Sequence, residues 1–537
     1  MKYWICIAVL SCALAGCTVP EATEQVAAKV DVDYAAQGWP AKSLPEIAAA
    51  LQAGEVSSEN LVQAYLERIA LIDRAGPTLQ SVLSINPDAL AQARALDAKR
   101  AAGETLGPLH GVPVLLKDNI ETLDNMATTA GALALKDNLT GRDSPLAAGF
   151  RAAGAIILGK TNLSQWANFR SESSMSGWSA LGGQVRNPHM LDRNPCGSSS
   201  GSGAAAAASL AAAAVGTETN GSIICPANSN GVVGFKPTVG LVSQQYIIPI
   251  SSSQDTAGPM TKTVKGAAML LNAMATGEAK IDYVAALDEN ALSGKRIGVL
   301  RFSQGENADI LIHFNAALKA MEDAGATLVE IDEFALDAEG FGNKSYMVLK
   351  YEFKATLNEY LSAAPSAVTT RSLADVIAFN EANAELELAL FDQSILEAAE
   401  ALGSLAEPEY LEALAVVQSA VRENGIDGLL AKYNVDILVG PSGPIPSRVD
   451  PINGDVWPSW AGSGGLAAIA GYPNVTVPMG AVHGLPIGVS FIGAKDQDAA
   501  VLSIAYAYEQ RTQLRIEPKF LKDALARPEI AAAMQRK

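Results

Sequence analysis

Ser198 and Ser222 stand 24 residues apart, in Pro195-Cys196-Gly197-Ser198-Ser199-Ser200-Gly201-Ser202-Gly203 and Gly216-Thr217-Glu218-Thr219-Asn220-Gly221-Ser222. Lys117 lies upstream, in Gly111-Val112-Pro113-Val114-Leu115-Leu116-Lys117-Asp118-Asn119. A serine hydroxyl is a weak nucleophile near neutral pH and needs a positioned base. The backbone N–H groups of a glycine-rich turn can hold the oxyanion that develops on an attacked carbonyl. Both parts are present, so the pattern reads as a hydrolase. A lysine becomes a usable base when buried, because desolvation lowers its pKa by up to ~3–5 units and leaves a neutral amine.

The same residues admit other readings. A phosphate-cradling P-loop would end in Gly-Lys-Ser/Thr, whereas Ala204 follows Gly203. A flexible Ser/Gly linker is opposed by the alanine-rich stretch that follows directly and by hydrophobic segments on both sides. Gly197-Ser198-Ser199-Ser200-Gly201 also matches the Gly-x-Ser-x-Gly elbow of Ser-His-Asp hydrolases, which would need one of four histidines, His110, His189, His313 or His483. These are scattered singly, and no second element supports that reading. No Cys/His cluster has metal-ligand spacing, so no metal site is expected.

The elements that must position these groups are legible in outline. Ser43-Leu44-Pro45-Glu46 fits a capping box, and residues 59–73 carry apolar side chains at helical spacing. Short apolar runs bounded by Gly or Pro, at 112–116, 155–158, 297–300, 327–331, 435–439, 475–477 and 487–492, predict buried strands. Helical stretches at 89–102, 309–324 and 499–510 separate several of them, which predicts an α/β sheet covered on both faces. Residues 204–215, with nine alanines in twelve positions, predict a closely packed helix. Residues 345–432 read as almost wholly helical, broken near Pro365 and Pro408, and predict a helical insertion or lid.

The chain of 537 residues is 49% hydrophobic and can bury a large core. Its formal charge of −18, with 57 acidic against 39 basic residues, disfavours nucleic acid or an anionic membrane surface as a partner. After Met1-Lys2, residues 3–16 form an uncharged run ending in Leu14-Ala15-Gly16 before Cys17. A bilayer span needs ~20 apolar residues, so this run suits a cleaved secretory signal. Small residues directly before a cysteine resemble a bacterial lipobox. That likeness implies a lipoprotein signal peptide over 1–16, acylation of Cys17, a tether over 17–37, a catalytic domain over 38–525 and a tail over 526–537. The implied location is the periplasm, with a lipid anchor in a bacterial membrane, by this likeness the outer one. Of five cysteines only Cys196 and Cys225 then remain as thiols, which excludes a disulfide-built scaffold. A bridge between them is conceivable; the expectation is two small buried thiols packing tight loops.

Lys117, Gly197-Ser198-Ser199 and Thr217-Glu218-Thr219-Asn220-Gly221-Ser222-Ile223 together resemble the amidase signature family. The likeness continues through Gly231-Val232-Val233-Gly234-Phe235-Lys236-Pro237-Thr238, Asp255-Thr256-Ala257-Gly258-Pro259-Met260 and residues 470–492. It implies one large α/β/α domain around a mixed sheet. It also implies Ser222 as nucleophile, Ser198 as bridging serine after a cis peptide, and Lys117 as base. The backbone N–H groups of Thr219, Asn220, Gly221 and Ser222 would form the oxyanion hole, with no metal or cofactor. Many family members have a second glycine where this chain has Cys196, and aspartate or glycine where it has Asn220, a residue that tolerates positive φ.

Within the family, the stretches 164–170, 176–180, 182–188, 351–354 and 505–512 are most similar to bacterial peptide amidases. These remove C-terminal carboxamides, which implies a short-peptide or small-molecule amide as substrate and no obligate protein partner. Trp166, Trp178, Trp457 and Trp460 are the candidate pocket walls. Three alternatives remain: an amidase for another small or fatty-acid amide, a transamidosome component working on aminoacyl-tRNA, and a non-catalytic peptide-binding lipoprotein.

Overall fold

The computed structural model describes residues 33–276, 281–336, 338–457 and 460–536. Cys17, the signal segment and most of the tether lie outside the described residues. The unit that begins at Ala35 is organised around one sheet of eleven strands, with a two-stranded ribbon at its margin. In chain order the strands are β1 (Val82–Ile85), β2 (Pro113–Lys117), β3 (Ile156–Thr161), the ribbon pair β4 (Trp178–Ser179) and β5 (Gly183–Gln184), β6 (Ala213–Glu218), β7 (Val233–Lys236), β8 (Thr256–Thr261), β9 (Arg296–Leu300), β10 (Thr327–Ile331), β11 (Ile437–Pro441), β12 (Asn474–Val482) and β13 (Leu485–Ile492). Across the sheet they run β1-β3-β2-β6-β8-β7-β12-β13-β11-β9-β10.

The sheet is mixed. β2 lies parallel to both β3 and β6, while β6, β8, β7, β12, β13 and β11 are joined by antiparallel ladders. Strands β2, β3, β6, β7 and β8 are buried along their whole length, as expected for a sheet covered on both faces. The single α/β domain expected from the sequence is therefore observed. The first helix, Leu44–Ala53, begins at the expected capping box: the Ser43 N–H donates to the Glu46 carboxylate at 2.8 Å.

The alanine-rich stretch departs from expectation. The helix Ser200–Ala207 stops early, Ser209 adopts φ +61°, and Ala213–Glu218 continues as central strand β6. Small side chains serve that strand for a packing reason: a Cβ on Gly216 would lie 2.7 Å from the Ser199 hydroxyl.

Residues 341–433 form helices Phe341–Ser362, Leu373–Ala382, Ala384–Glu387, Ser394–Glu400, Pro408–Val421 and Asp427–Tyr433. Phe353, Leu357, Leu361, Leu373 and Leu396 of this insertion pack in one buried cluster with Trp166, Phe169, Ile248 and Ile250 of the sheet layer. Arg170 pins the same boundary from a fully buried position. Its guanidinium lies 3.6 Å from the Glu387 carboxylate and 4.0 Å from the Phe391 ring centroid, and it donates to the Phe391 carbonyl at 3.1 Å. No helix among the described residues is long and apolar enough to cross a membrane.

Candidate active site

Lys117 ends β2 and Thr217 lies near the end of β6, the parallel neighbour. In open α/β sheets the carboxyl ends of parallel strands form the usual binding crevice. The Lys117 side chain is fully buried, and its Nζ lies 2.8 Å from Ser198 Oγ, 2.9 Å from Thr217 Oγ1 and 3.3 Å from the Thr217 carbonyl. Burial lowers its pKa from 10.5 to about 7, opposed by the charges of Asp255 and Glu218. A substantial neutral fraction therefore exists at neutral pH. Asn119 donates to Thr217 Oγ1 at 3.0 Å, which fixes the threonine beside the amine.

The two serine loops are tied to each other. The Ser199 N–H donates to the Ser222 carbonyl at 3.1 Å, and Ser199 Oγ exchanges hydrogen bonds with the Thr217 main chain at 3.0 and 3.1 Å. The peptide between Gly197 and Ser198 is cis. Glycine is required at 197 and 201, because a Cβ would lie 2.3 Å from Ser164 Oγ at the first and 2.3 Å from the Asn162 carbonyl at the second.

This approach also decides the cysteines. Cys196 and Cys225 come to a Cα separation of 5.8 Å and form a disulfide, so the expectation of separate thiols is corrected. Nothing in the spacing of 29 residues discloses that proximity, which arises from the strand order.

Ser222 follows a turn braced by two carboxylates. Glu218 accepts the N–H groups of Ile223 and Ile224 at 2.7 and 3.0 Å. Asp255 accepts the Thr219 hydroxyl at 2.6 Å and the N–H groups of Ile250 and Ser251 at 2.8 and 3.0 Å. Burial pushes the Asp255 pKa up to about 6, against these hydrogen bonds. The positive φ of the turn falls on Gly221, at +81°, and not on Asn220. Among the described residues no acceptor takes the N–H of Asn220, Gly221 or Ser222.

Gly197, Thr219, Asn220 and Ser222 line one end of a cleft of about 400 Å³. Its other walls include Phe169, Ile250, Tyr346, Leu349 and Ile395, so the helical insertion closes one side. None of the four tryptophans expected as walls is among the lining residues. Trp166 belongs to the buried cluster beneath the insertion, and Trp178 packs edge-on against Phe391 at 5.2 Å. Trp457 and Trp460 pack against each other at 5.7 Å. The aromatic walls are instead Phe169 and Tyr346.

Asn119, Thr217, Glu218 and Asp255 do not stand out individually in the sequence, although all four lie in the motifs that surround the serines and the lysine. None of the four histidines lines the cleft. His189 is buried against the Asn230 carbonyl, and burial lowers its pKa to about 4. No group of His, Cys, Asp and Glu that could hold a metal occurs among the described residues.

The amidase family model matches residues 60–502. A probable amidase from Arabidopsis thaliana is 38% identical over 500 residues, covering 89% of this chain and 91% of that protein. A putative amidase from Arthroderma benhamiae is 34% identical over 549 residues, covering 94% and 89%. The crystal structure of the native peptide amidase from Stenotrophomonas maltophilia superposes with a TM-score of 0.83 at 45% identity, covering 89% of this chain and 98% of that one. A structure of the peptide amidase in complex with the competitive inhibitor chymostatin superposes with a TM-score of 0.85 at 46% identity, covering 89% and 99%.

Proposed function

The chain belongs to the amidase family and is an amide-hydrolysing enzyme, and from that premise we propose that it converts C-terminal peptide amides or amino-acid amides to carboxylate and ammonia through an acyl-enzyme on Ser222. The observation that carries this reading is the buried Lys117 amine, with its pKa near 7, at 2.8 Å from Ser198 Oγ beside the cleft that Ser222 lines. In the proposed relay, neutral Lys117 takes the Ser198 proton as Ser198 takes that of Ser222, and Ser222 Oγ attacks the amide carbon.

The main-chain N–H groups of the 219–222 turn receive the oxyanion. A donor of this kind is worth about 3–4 kcal/mol in the transition state. Collapse of the tetrahedral intermediate breaks the C–N bond, and the relay returns a proton to the departing ammonia. Water then attacks the ester by the same route and frees the carboxylate. Support for a peptide amide as substrate comes from the 46% identity to the peptide amidase across 89% of this chain.

The location follows as part of the same proposal: an exported enzyme held to the membrane by a lipid on Cys17. The Cys196–Cys225 disulfide supports it, since such bonds persist in oxidising compartments. Mass spectrometry of the full chain expressed in a Gram-negative host tests this; an unmodified N-terminus with residues 1–16 retained would overturn it.

Ammonia release tests the reaction. Purified protein is supplied with a short peptide amide, a free amino-acid amide, a long-chain fatty amide and glutamine, with Ser222→Ala as control. Release from the peptide amide that falls at least ~10³-fold in the variant is expected. Preference for another amide would move the substrate and keep the mechanism. Full activity in Ser222→Ala would refute it.

A further inference from the structure

The cleft has an apolar wall and a single charge. Among the described residues that line it, Phe169, Ile250, Leu349 and Ile395 are apolar, and Glu172 alone is an acidic or basic residue type. Glu172 is exposed at the rim, beside Tyr346, whose hydroxyl pKa is raised by burial and, in addition, by the Glu172 carboxylate. It makes no ion pair among the described residues; Lys350, the cation beside Tyr346, sits over that ring at 5.1 Å from the centroid.

The segment carrying Glu172 is anchored. The Glu172 N–H donates to Ser394 Oγ at 3.3 Å, the Ser171 N–H donates to Ser174 Oγ at 3.2 Å, and Ser171 Oγ donates to Asp392. Asp392 therefore adds a second negative charge behind the same rim, partly offset by Arg170. A carboxylate held at the mouth of a cleft with one apolar wall, without an ion-pair partner among the described residues, is complementary to a positive charge on the ligand.

Resting on the amidase reading, we propose that Glu172 is a specificity-determining residue that selects amides whose acyl portion carries a cationic group. The apolar wall takes the side chain next to the scissile carboxamide. The cation reaches the rim from the residue before it. Two sources offer that chemistry, a free α-ammonium and a basic side chain.

Four dipeptide amides with leucinamide at the reacting end separate them: N-acetyl-Gly-Leu-amide, free Gly-Leu-amide, N-acetyl-Lys-Leu-amide and N-acetyl-Glu-Leu-amide. In the wild type, kcat/KM for at least one cationic amide is expected to exceed that of the neutral one by about five-fold, which is about 1 kcal/mol, the upper end for an exposed charge pair. The acidic amide should fall below the neutral one, and 0.5 M salt should shrink both differences.

In Glu172→Gln the spread between the cationic, neutral and acidic amides is expected to collapse to within two-fold. A wild-type enzyme that hydrolyses the neutral amide with no charge preference, or a variant that keeps the preference, overturns the inference and leaves the amidase reading standing. Absence of turnover on all four dipeptide amides overturns the peptide-amide reading, and the inference with it.

Discussion

Replacing Lys117 by methionine keeps most of the side-chain volume and removes the buried amine. Lowering an ammonium pKa from 10.5 to about 7 corresponds to about 5 kcal/mol of folding stability forgone when the group is charged in both states. The sign follows from proton binding. Between pH 7 and 10.5 the unfolded chain holds a proton on this lysine that the folded chain does not, so wild-type stability rises with pH through that window. Below pH 7 the full penalty applies.

Methionine removes the penalty and leaves Ser198 and Thr217 without their Lys117 hydrogen bonds, a loss of about 1–3 kcal/mol. The variant should therefore be more stable than wild type by about 2–4 kcal/mol at pH 6, with the difference shrinking by about 2.7 kcal/mol at pH 9. Lys160 and Lys236, also buried with pKa values lowered to about 8, are present in both proteins and cancel in the comparison. Guanidinium unfolding followed by tryptophan fluorescence at pH 6, 7, 8 and 9 measures the difference, alongside ammonia release, which should fall by about 10²–10⁴. A stability difference that is flat across these pH values would mean an ammonium of ordinary pKa, which could not act as the base, and would refute the reasoning.

The wild-type enzyme itself should show kcat/KM rising with pH through an apparent pKa near 7, reported by initial rates on an amide whose own charge does not change in that range. Cys225→Ser, or reduction under native conditions, opens a loop of 29 residues and should cost about 3–4 kcal/mol of stability by the chain-entropy relation, read from unfolding with and without reductant. Glu387→Gln leaves the buried Arg170 guanidinium without its counter-charge and should destabilise by about 3–5 kcal/mol, measured by the same unfolding assay; a change below 1 kcal/mol would show the pair to be dispensable. Gly201→Ala places a Cβ 2.3 Å from the Asn162 carbonyl and 2.4 Å from the Ser81 carbonyl, both backbone atoms, so a loss of at least about 1–3 kcal/mol is expected in thermal melts.

How much of this was legible depended on side-chain type. β2, β3, β9 and β13 announce themselves through runs of Val, Ile and Leu, the signature of strands buried on both faces. β6 and β8 do not: Ala-Ala-Val-Gly-Thr-Glu and Thr-Ala-Gly-Pro-Met-Thr have neither alternation nor bulk, and the alanines read as helix. Their small residues reflect tertiary crowding, as at Gly258, where a Cβ would meet the Phe235 carbonyl at 2.0 Å. Local propensity carries no trace of that neighbour. The two serine loops were readable because the family likeness they carry rests on unusual residue types in a fixed order. The cleft walls were not, since Phe169, Tyr346 and Ile395 arrive from separate segments, and apolar residues on a wall look like apolar residues in a core.

The boundary between sheet layer and helical insertion divides the molecule by replaceability. Lys117, Thr217 and both serine loops hang from buried central strands cross-braced by hydrogen bonds, where a displacement of one ångström would touch several partners at once. Tyr346, Leu349 and Ile395 belong to helices that meet this frame through the buried cluster, the Arg170 anchor and hydrogen bonds from Ser251 and Ser253 to Glu352 and from Asn138 to Tyr360. Exchange of residues on that helical wall can retune what enters the cleft while the hydrogen bonds around Lys117 and Thr217, made within the sheet layer, stay in place. A chain built this way can diversify its diet while its chemistry stands still.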